Sequence, residues 1–175
     1  MDIHFVTPDL RRLDELKAEA IVLPLFENVR PLRGASGLVD WRLAGLLSRV
    51  LVRRYATGAL GEVVLIPPRH RLPFEKLLLV GAGTIETFDV ARFEALLDKT
   101  LTVLDRARVR TSVMVLPGRS VGRMPPDLAM QLFLRYASAH PDQDAATLIE
   151  DIDSQKAMQP LIERERRRAR AEDEA

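Results

Sequence analysis

Cysteine is absent from all 175 residues. That absence excludes disulfides, thiolate metal sites and a cysteine nucleophile together, and it agrees with a cytoplasmic setting. An excess of one charge is also missing. Twenty-six basic and 25 acidic residues leave a net charge of +1, so no global field draws the chain to nucleic acid or to a membrane. No apolar run approaches the roughly 20 residues needed to cross a bilayer. The opening MDIHFVTPDL carries an acid at position 2 and lacks both a basic segment and a long apolar core, so it does not read as a signal peptide. No serine lies in a Gly-x-Ser-x-Gly elbow. His4, His70 and His140 are scattered without metal-ligand spacing, and each reads as structural. No internal repeat is visible, and no residue pattern points to a catalytic group, a metal or a cofactor.

What is present is an order of elements. Apolar residues make up 47% of the chain, enough for one domain that buries about two-thirds of its unfolded surface. DIHFV at residues 2–6 reads as a first strand, stopped by Pro8 and Asp9, and residues 9–18 as a charged, partly helical connector. AIVLPLF at residues 20–26 reads as a central strand whose Pro24 fits only near an edge or an irregularity, because proline removes a ladder donor. Leu38, Trp41, Leu43, Leu46, Leu47, Val50 and Leu51 recur at three- and four-residue spacing, which predicts one helix to about Arg54 with these residues inward. EVVLI at 62–66 and KLLLVGAG at 76–83 follow as strands, joined by the proline-rich connection 67–73 that carries Arg69, His70 and Arg71. A second helix is expected over 88–107, with Val90, Phe93, Leu96, Leu97, Leu101 and Leu104 on one face. A buried strand over 111–116 comes next, then a helix opened by Pro125 and Pro126, and a last strand over 146–152. Strands apolar on both faces, alternating with helices, predict a three-layer α/β/α domain over residues 1–153 with a mixed sheet of about six strands. Residues 154–175 read as a charged C-terminal helix in which only Met158, Leu161 and Ile162 form an apolar stripe.

Three glycine-bearing loops are candidate ligand positions. Gly34-Ala35-Ser36-Gly37 precedes a helix, where small residues and free N–H groups suit an anion; alternatively Ser36 simply caps that helix. Gly81-Ala82-Gly83 ends a strand, where open sheets place ligands, or else marks a turn that needs positive φ. Gly118-Arg119-Ser120 closes another strand, and Arg119 is suited to pair with a phosphate. Convergence of these loops would make a site for a small anionic ligand. The acids Glu150, Asp151 and Asp153 read as caps for the next helix or as solvated groups. The C-terminal arginines alternate with or precede Glu163, Glu165, Glu172, Asp173 and Glu174, so the tail is nearly neutral and lacks stacking aromatics, which argues against nucleic acid.

Residues 19–26, 61–67 and 76–83, read as D-A-I-V-V-x-x-F, G-E-x-x-x-L-P and R-V-L-L-V-G-L-G patterns, resemble the N-terminal domain of the leucyl (cytosol) aminopeptidases, and the order of later elements extends the resemblance over about residues 2–152. That resemblance implies a macrodomain-like fold serving in assembly, with the two-metal chemistry confined to a separate C-terminal domain. The N-T-D-A-E-G-R-L signature of that domain does not occur in this chain. The macrodomain relation also implies ADP-ribose recognition, with Asp9 as the adenine-contacting acid. However, Leu23 and Phe26 stand where macrodomains usually place asparagines, which argues against hydrolysis of ADP-ribose adducts.

The expected function is therefore a non-catalytic assembly or regulatory module. It would act by self-association or by docking on a protein partner such as a separate aminopeptidase catalytic subunit. Trp41, Phe26, the connection 67–73 and the Met158/Leu161/Ile162 stripe are the candidate contacts. A binder of ADP-ribose or a related nucleotide, using Asp9 and the three glycine loops, is the alternative.

Overall fold

The computed structural model describes residues 1–68 and 70–173; Arg69 and Glu174, named above, lie outside the described residues. Six strands form one sheet in the order β1-β6-β5-β2-β4-β3. These are β1 (Asp2–Val6), β2 (Ala20–Phe26), β3 (Val63–Ile66), β4 (Lys76–Gly83), β5 (Thr111–Met114) and β6 (Ala145–Ile149). All neighbours run parallel except β3, which pairs antiparallel with β4 at one edge. On one face lie α1 (Leu10–Asp14), α2 (Gly34–Arg42) and α3 (Leu46–Val52), and on the other α4 (Val90–Arg106), α5 (Pro126–Ala137) and α6 (Ile152–Asp173). The expected three-layer α/β/α architecture with a mixed sheet is what forms.

The doubly apolar strands explain the layers. Every residue of β2 is buried. Its Ala20, Val22 and Phe26 face the α4–α6 side, and its Ile21, Leu23 and Leu25 face the α1–α3 side. Side chains alternate along a strand, so only a sheet covered on both faces accepts such a sequence. Pro24 sits in this central strand at a place where its missing donor does no harm. The Val115 N–H donates to Val22 O at 3.1 Å. Backbone groups facing one side recur every second residue, so Pro24 faces the β5 side just past the last paired residue, Met114.

Several expectations need correction. The single helix through residues 34–54 is two helices. Ala44 and Gly45 between them have φ of 55° and 74°, and Asp40 turns back to accept from the backbone N–H of Ser48 at 3.1 Å. The break rotates α3 relative to α2, so Trp41 points to solvent, 72% exposed, while Val39 and Leu47 carry the inward face. Val90 starts α4 and is exposed, whereas Phe93, Leu96, Leu97, Leu101 and Leu104 are buried as the period predicted. Phe26 is no surface contact: it packs edge-on against Phe88 with ring centroids 5.2 Å apart. The α6 stripe is consumed inside the domain, since Met158 and Ile162 join the core under α4 and α5 and Leu161 packs against it.

Backbone contact between β4 and the turn before β3 is close enough to demand glycine. A Cβ at Gly81 would lie 2.0 Å from the Ala59 carbonyl oxygen. Gly81→Ala is therefore expected to destabilise the domain by about 3 kcal/mol, because backbone rather than a flexible side chain must move. Urea unfolding of the two proteins checks this, and an unchanged midpoint would show that the turn yields freely.

Candidate functional site

Parallel strands that all end on one side create a crevice at their C-terminal ends. Here that crevice lies where β5, β6 and the start of α2 meet. It is a cleft of about 150 Å³ lined by Pro8, Gly34, Ala35, Val115, Arg119, Ser120, Ile149, Glu150 and Asp151. Two of the three glycine loops converge there. The Gly34 loop abuts the Gly118 loop, and a Cβ on Gly34 would lie 3.6 Å from Ser120 Cβ.

The third loop does not join them. Gly81 and Gly83 are tied to the turn before β3, with the Gly61 N–H donating to Gly81 O at 2.8 Å and the Gly83 N–H donating to Gly58 O at 2.8 Å. Asp9 lies next to the lining residue Pro8, and its carboxylate caps α1, accepting from the Arg11 N–H at 2.7 Å. Ser36 is not the cap of α2. The helix begins at Gly34 after Arg33, which offers no side-chain cap. The Gly37 N–H already donates to Arg33 O, so Gly34, Ala35 and Ser36 carry the leading N–H groups of the helix. Gly34 and Ala35 face the cleft.

The floor of the cleft is an ion pair. Arg119 donates from Nε to Glu150 Oε1 at 3.0 Å and from Nη2 to Glu150 Oε2 at 2.9 Å. The same guanidinium reaches Ser154 Oγ at 2.7 Å and Met124 O at 2.6 Å. Side-chain exposure is 10% for Arg119 and 3% for Glu150. Burial pushes the Glu150 carboxyl above its usual range, and Arg119 only partly pulls it back. Asp151, beside it, caps the first turn of α6 through Ser154 N at 2.9 Å and Oγ at 2.7 Å. These bonds hold its carboxyl below the usual range. Of the three acids expected at this strand end, Asp151 is the cap, Glu150 is the buried counter-ion, and Asp153 is exposed.

A second buried polar cluster had no signal in sequence spacing. His140 is buried, with Nδ1 2.5 Å from Asp105 Oδ2, and Gln143 donates from Nε2 to Asp105 Oδ1 at 2.8 Å and to Val109 O at 2.7 Å. Burial pushes the Asp105 carboxyl up, but the hydrogen bonds from His140 and Gln143 together outweigh it and hold the carboxyl down. The cluster fastens the end of α4 to the turn before β6. Among the described residues, no group of three or more His, Asp or Glu side chains is placed to hold a metal ion.

Removing Arg119 leaves an unpaired buried carboxylate. Arg119→Met is expected to cost about 3–5 kcal/mol at pH 7. Because Glu150 then titrates still higher, and its protonated form needs no counter-charge, the penalty is expected to shrink as pH falls toward 5. The double variant Arg119→Met/Glu150→Leu is expected to recover most of the loss. Denaturant titrations at both pH values check this. A single variant as stable as the wild type at pH 7 would show that the pair is not the floor of the cleft.

Comparison with known proteins agrees with this fold. Residues 22–135 match the model of the cytosol aminopeptidase family, N-terminal domain. A probable cytosol aminopeptidase of Alkaliphilus metalliredigens is 23% identical over 100 residues, which is 57% of this chain and 20% of that protein; the chain thus spans about a fifth of the length of this curated relative. Among solved structures, tomato leucine aminopeptidase (K354E mutant) superposes with a TM-score of 0.60 at 14% identity, over 91% of this chain and 35% of its own. The Trypanosoma brucei macrodomain in complex with ADP-ribose superposes with a TM-score of 0.72 at 16% identity, over 91% of this chain and 68% of its own. The fold is macrodomain-like, and with about two-thirds of its length matched, the chain belongs to the cytosol aminopeptidase family through that family's N-terminal domain.

Proposed function

We infer that this chain is a non-catalytic assembly or regulatory module, acting by self-association or by docking on a larger protein such as a separate aminopeptidase catalytic subunit. The observation that carries this reading is the distribution of apolar surface. Trp41, Val52 and Tyr55 of the α2–α3 layer are 72%, 83% and 71% exposed, although the same layer buries Val39, Leu47 and Leu51 beneath them. Large aromatic side chains left in water on a domain with a filled core suit contact with another protein. No helix among the described residues is long and apolar enough to cross a membrane. Size-exclusion chromatography with light scattering tests the reading, on the chain alone and mixed with the catalytic domain of a cytosol aminopeptidase. The expected result is a mass above the 19.7 kDa protomer or co-elution with the catalytic domain. A strict monomer that co-elutes with nothing would sink it.

One observation favours a second reading, a nucleotide binder without hydrolase activity. The leading N–H groups of α2 and the Gly118-Arg119-Ser120 loop do meet in one cleft, an arrangement that suits a phosphate. Against it, 150 Å³ is about half the volume of the smallest usual ligand pockets, and Arg119 already holds Glu150. Calorimetry with ADP-ribose separates the readings. Binding that Gly34→Asp abolishes would support this one, and no heat at millimolar ligand removes it.

A further inference from the structure

The sheet has an edge that no further strand covers among the described residues. β3 is the last strand on its side and pairs only with β4. Its register sets Val64 against Leu79 and Ile66 against Leu77, and just before the strand the Gly81 N–H donates to Glu62 O at 2.7 Å. In an antiparallel ladder hydrogen-bonded pairs alternate. Glu62, Val64 and Ile66 therefore turn their backbone groups toward β4, while Val63 and Leu65 present an N–H and a C=O each to the outside.

Edges of this kind are normally blunted by charge, by proline or by a covering element. Here Val63–Ile66 carry neither charge nor proline, and Pro67 and Pro68 come only after the strand has ended. The one acid at the strand's start is turned back into its own turn, where Glu62 Oε2 accepts from the N–H groups of Thr57 and Gly58 at 2.8 Å each. Leu65 is 58% exposed on this edge. Along Val63–Ile66 two copies would set no like charges against each other, a condition that self-pairing requires because every edge residue faces another copy of the same edge.

We propose that a second copy of this chain pairs along this edge, β3 against β3, around a two-fold axis at Val64. The proposal rests on the self-associating form of the reading above and names its surface. Antiparallel pairing of identical strands is self-complementary. A register centred on Val64 places Val63 opposite Leu65 of the other copy, and Leu65 opposite Val63. Both become hydrogen-bonded pairs, so the two outward donors and two outward acceptors of each copy are all satisfied. Val64 faces its own twin as the non-hydrogen-bonded pair between them. The ladder stops at the same place in both directions, because the next outward position, 67, is a proline without a donor. A second copy brings a strand of the same length that ends at the same proline, so every donor on one edge meets an acceptor on the other and none is left over, and a second copy is the occupant that the edge fits. On the face of the sheet that α4–α6 cover, Leu65 lies beside Val63 of the other copy, which removes the exposed leucine from water.

The absence of native cysteine makes the register directly measurable. In a non-hydrogen-bonded antiparallel pair the Cα atoms lie about 4.5 Å apart, within disulfide reach. Residues at 65 would lie about 8 Å from their twins, from the strand spacing and rise, which is beyond it. Mild oxidation of Val64→Cys at concentrations where light scattering detects a dimer is expected to give a covalent dimer, and Leu65→Cys is expected to give none. Leu65→Lys, at an exposed position, is expected to keep the circular dichroism and melting temperature while weakening the dimer about tenfold or more. A dimer that survives Leu65→Lys and shows no preference for the Val64 cross-link would overturn edge pairing and leave self-association standing elsewhere on the surface. A chain that stays monomeric at all concentrations would overturn both.

Discussion

The pair between Arg119 and Glu150 is the constraint on which the strand-end half of this protein depends. One guanidinium holds the end of β6 through Glu150, the first turn of α6 through Ser154, and the loop before α5 through Met124 O. Two stretches of chain, residues 119–124 and 150–154, are thereby fixed to one planar group whose donors match a carboxylate bidentately. The pair adds little to net stability at neutral pH. Glu150 is held above its ordinary range even with Arg119 beside it, which means the attraction does not fully offset what burial takes away. Its contribution is geometric, because two apolar residues of the same volume would fill the space without fixing where β6, α6 and the α5 loop meet.

The same pair decides the character of the cleft. A helix N-terminus facing a strand end is a ready anion site only if positive groups nearby are free to meet the anion. Arg119 is instead paired bidentately with Glu150, so the one guanidinium beside the two converging loops is already engaged. The third loop is tied by its own backbone to the turn at Ala59 and Gly61 and plays no part there. Gly118, too, is explained by packing, since a Cβ there would stand 2.5 Å from the Phe88 ring. Glycine at strand ends here mostly records how closely the backbone approaches its neighbours.

Most of the fold was legible because it rests on local patterns. A strand such as β2, apolar at consecutive positions, has only one kind of home, and α4 and α5 display their buried faces at helical spacing. What failed to show depended on contacts that sequence spacing does not encode. The break between α2 and α3 comes from two positive-φ residues at 44 and 45, and periodicity reads straight through them, which sent Trp41 inward on paper and outward in space. The α6 stripe was visible as a stripe, but nothing local says whether another chain or the domain's own α4–α5 layer covers it. Charges pose the same difficulty at greater distance. Arg119 and Glu150 are 31 residues apart, and Asp105 and His140 are 35 apart, so neither pairing shows in local spacing: Arg119 read alone suits a phosphate, Glu150 a cap or a solvated group, and His140 reads as structural without its partner. Asp151 was legible because its partner, Ser154, is three residues away.

These contrasts bear on how a domain of this family relates to partners. Its polar groups at the strand ends are paired internally, and its deepest apolar stripe, on α6, is folded onto its own core. Among the large apolar side chains left exposed are Trp41, Val52 and Tyr55 on one helical layer and Leu65 of β3 at the sheet edge. Surfaces of that kind gain free energy by leaving water and offer little to a charged small molecule. On the reading proposed above, the open edge, with its fixed spacing of donors and acceptors, would set the register of a contact with another protein more sharply than a flat apolar patch does.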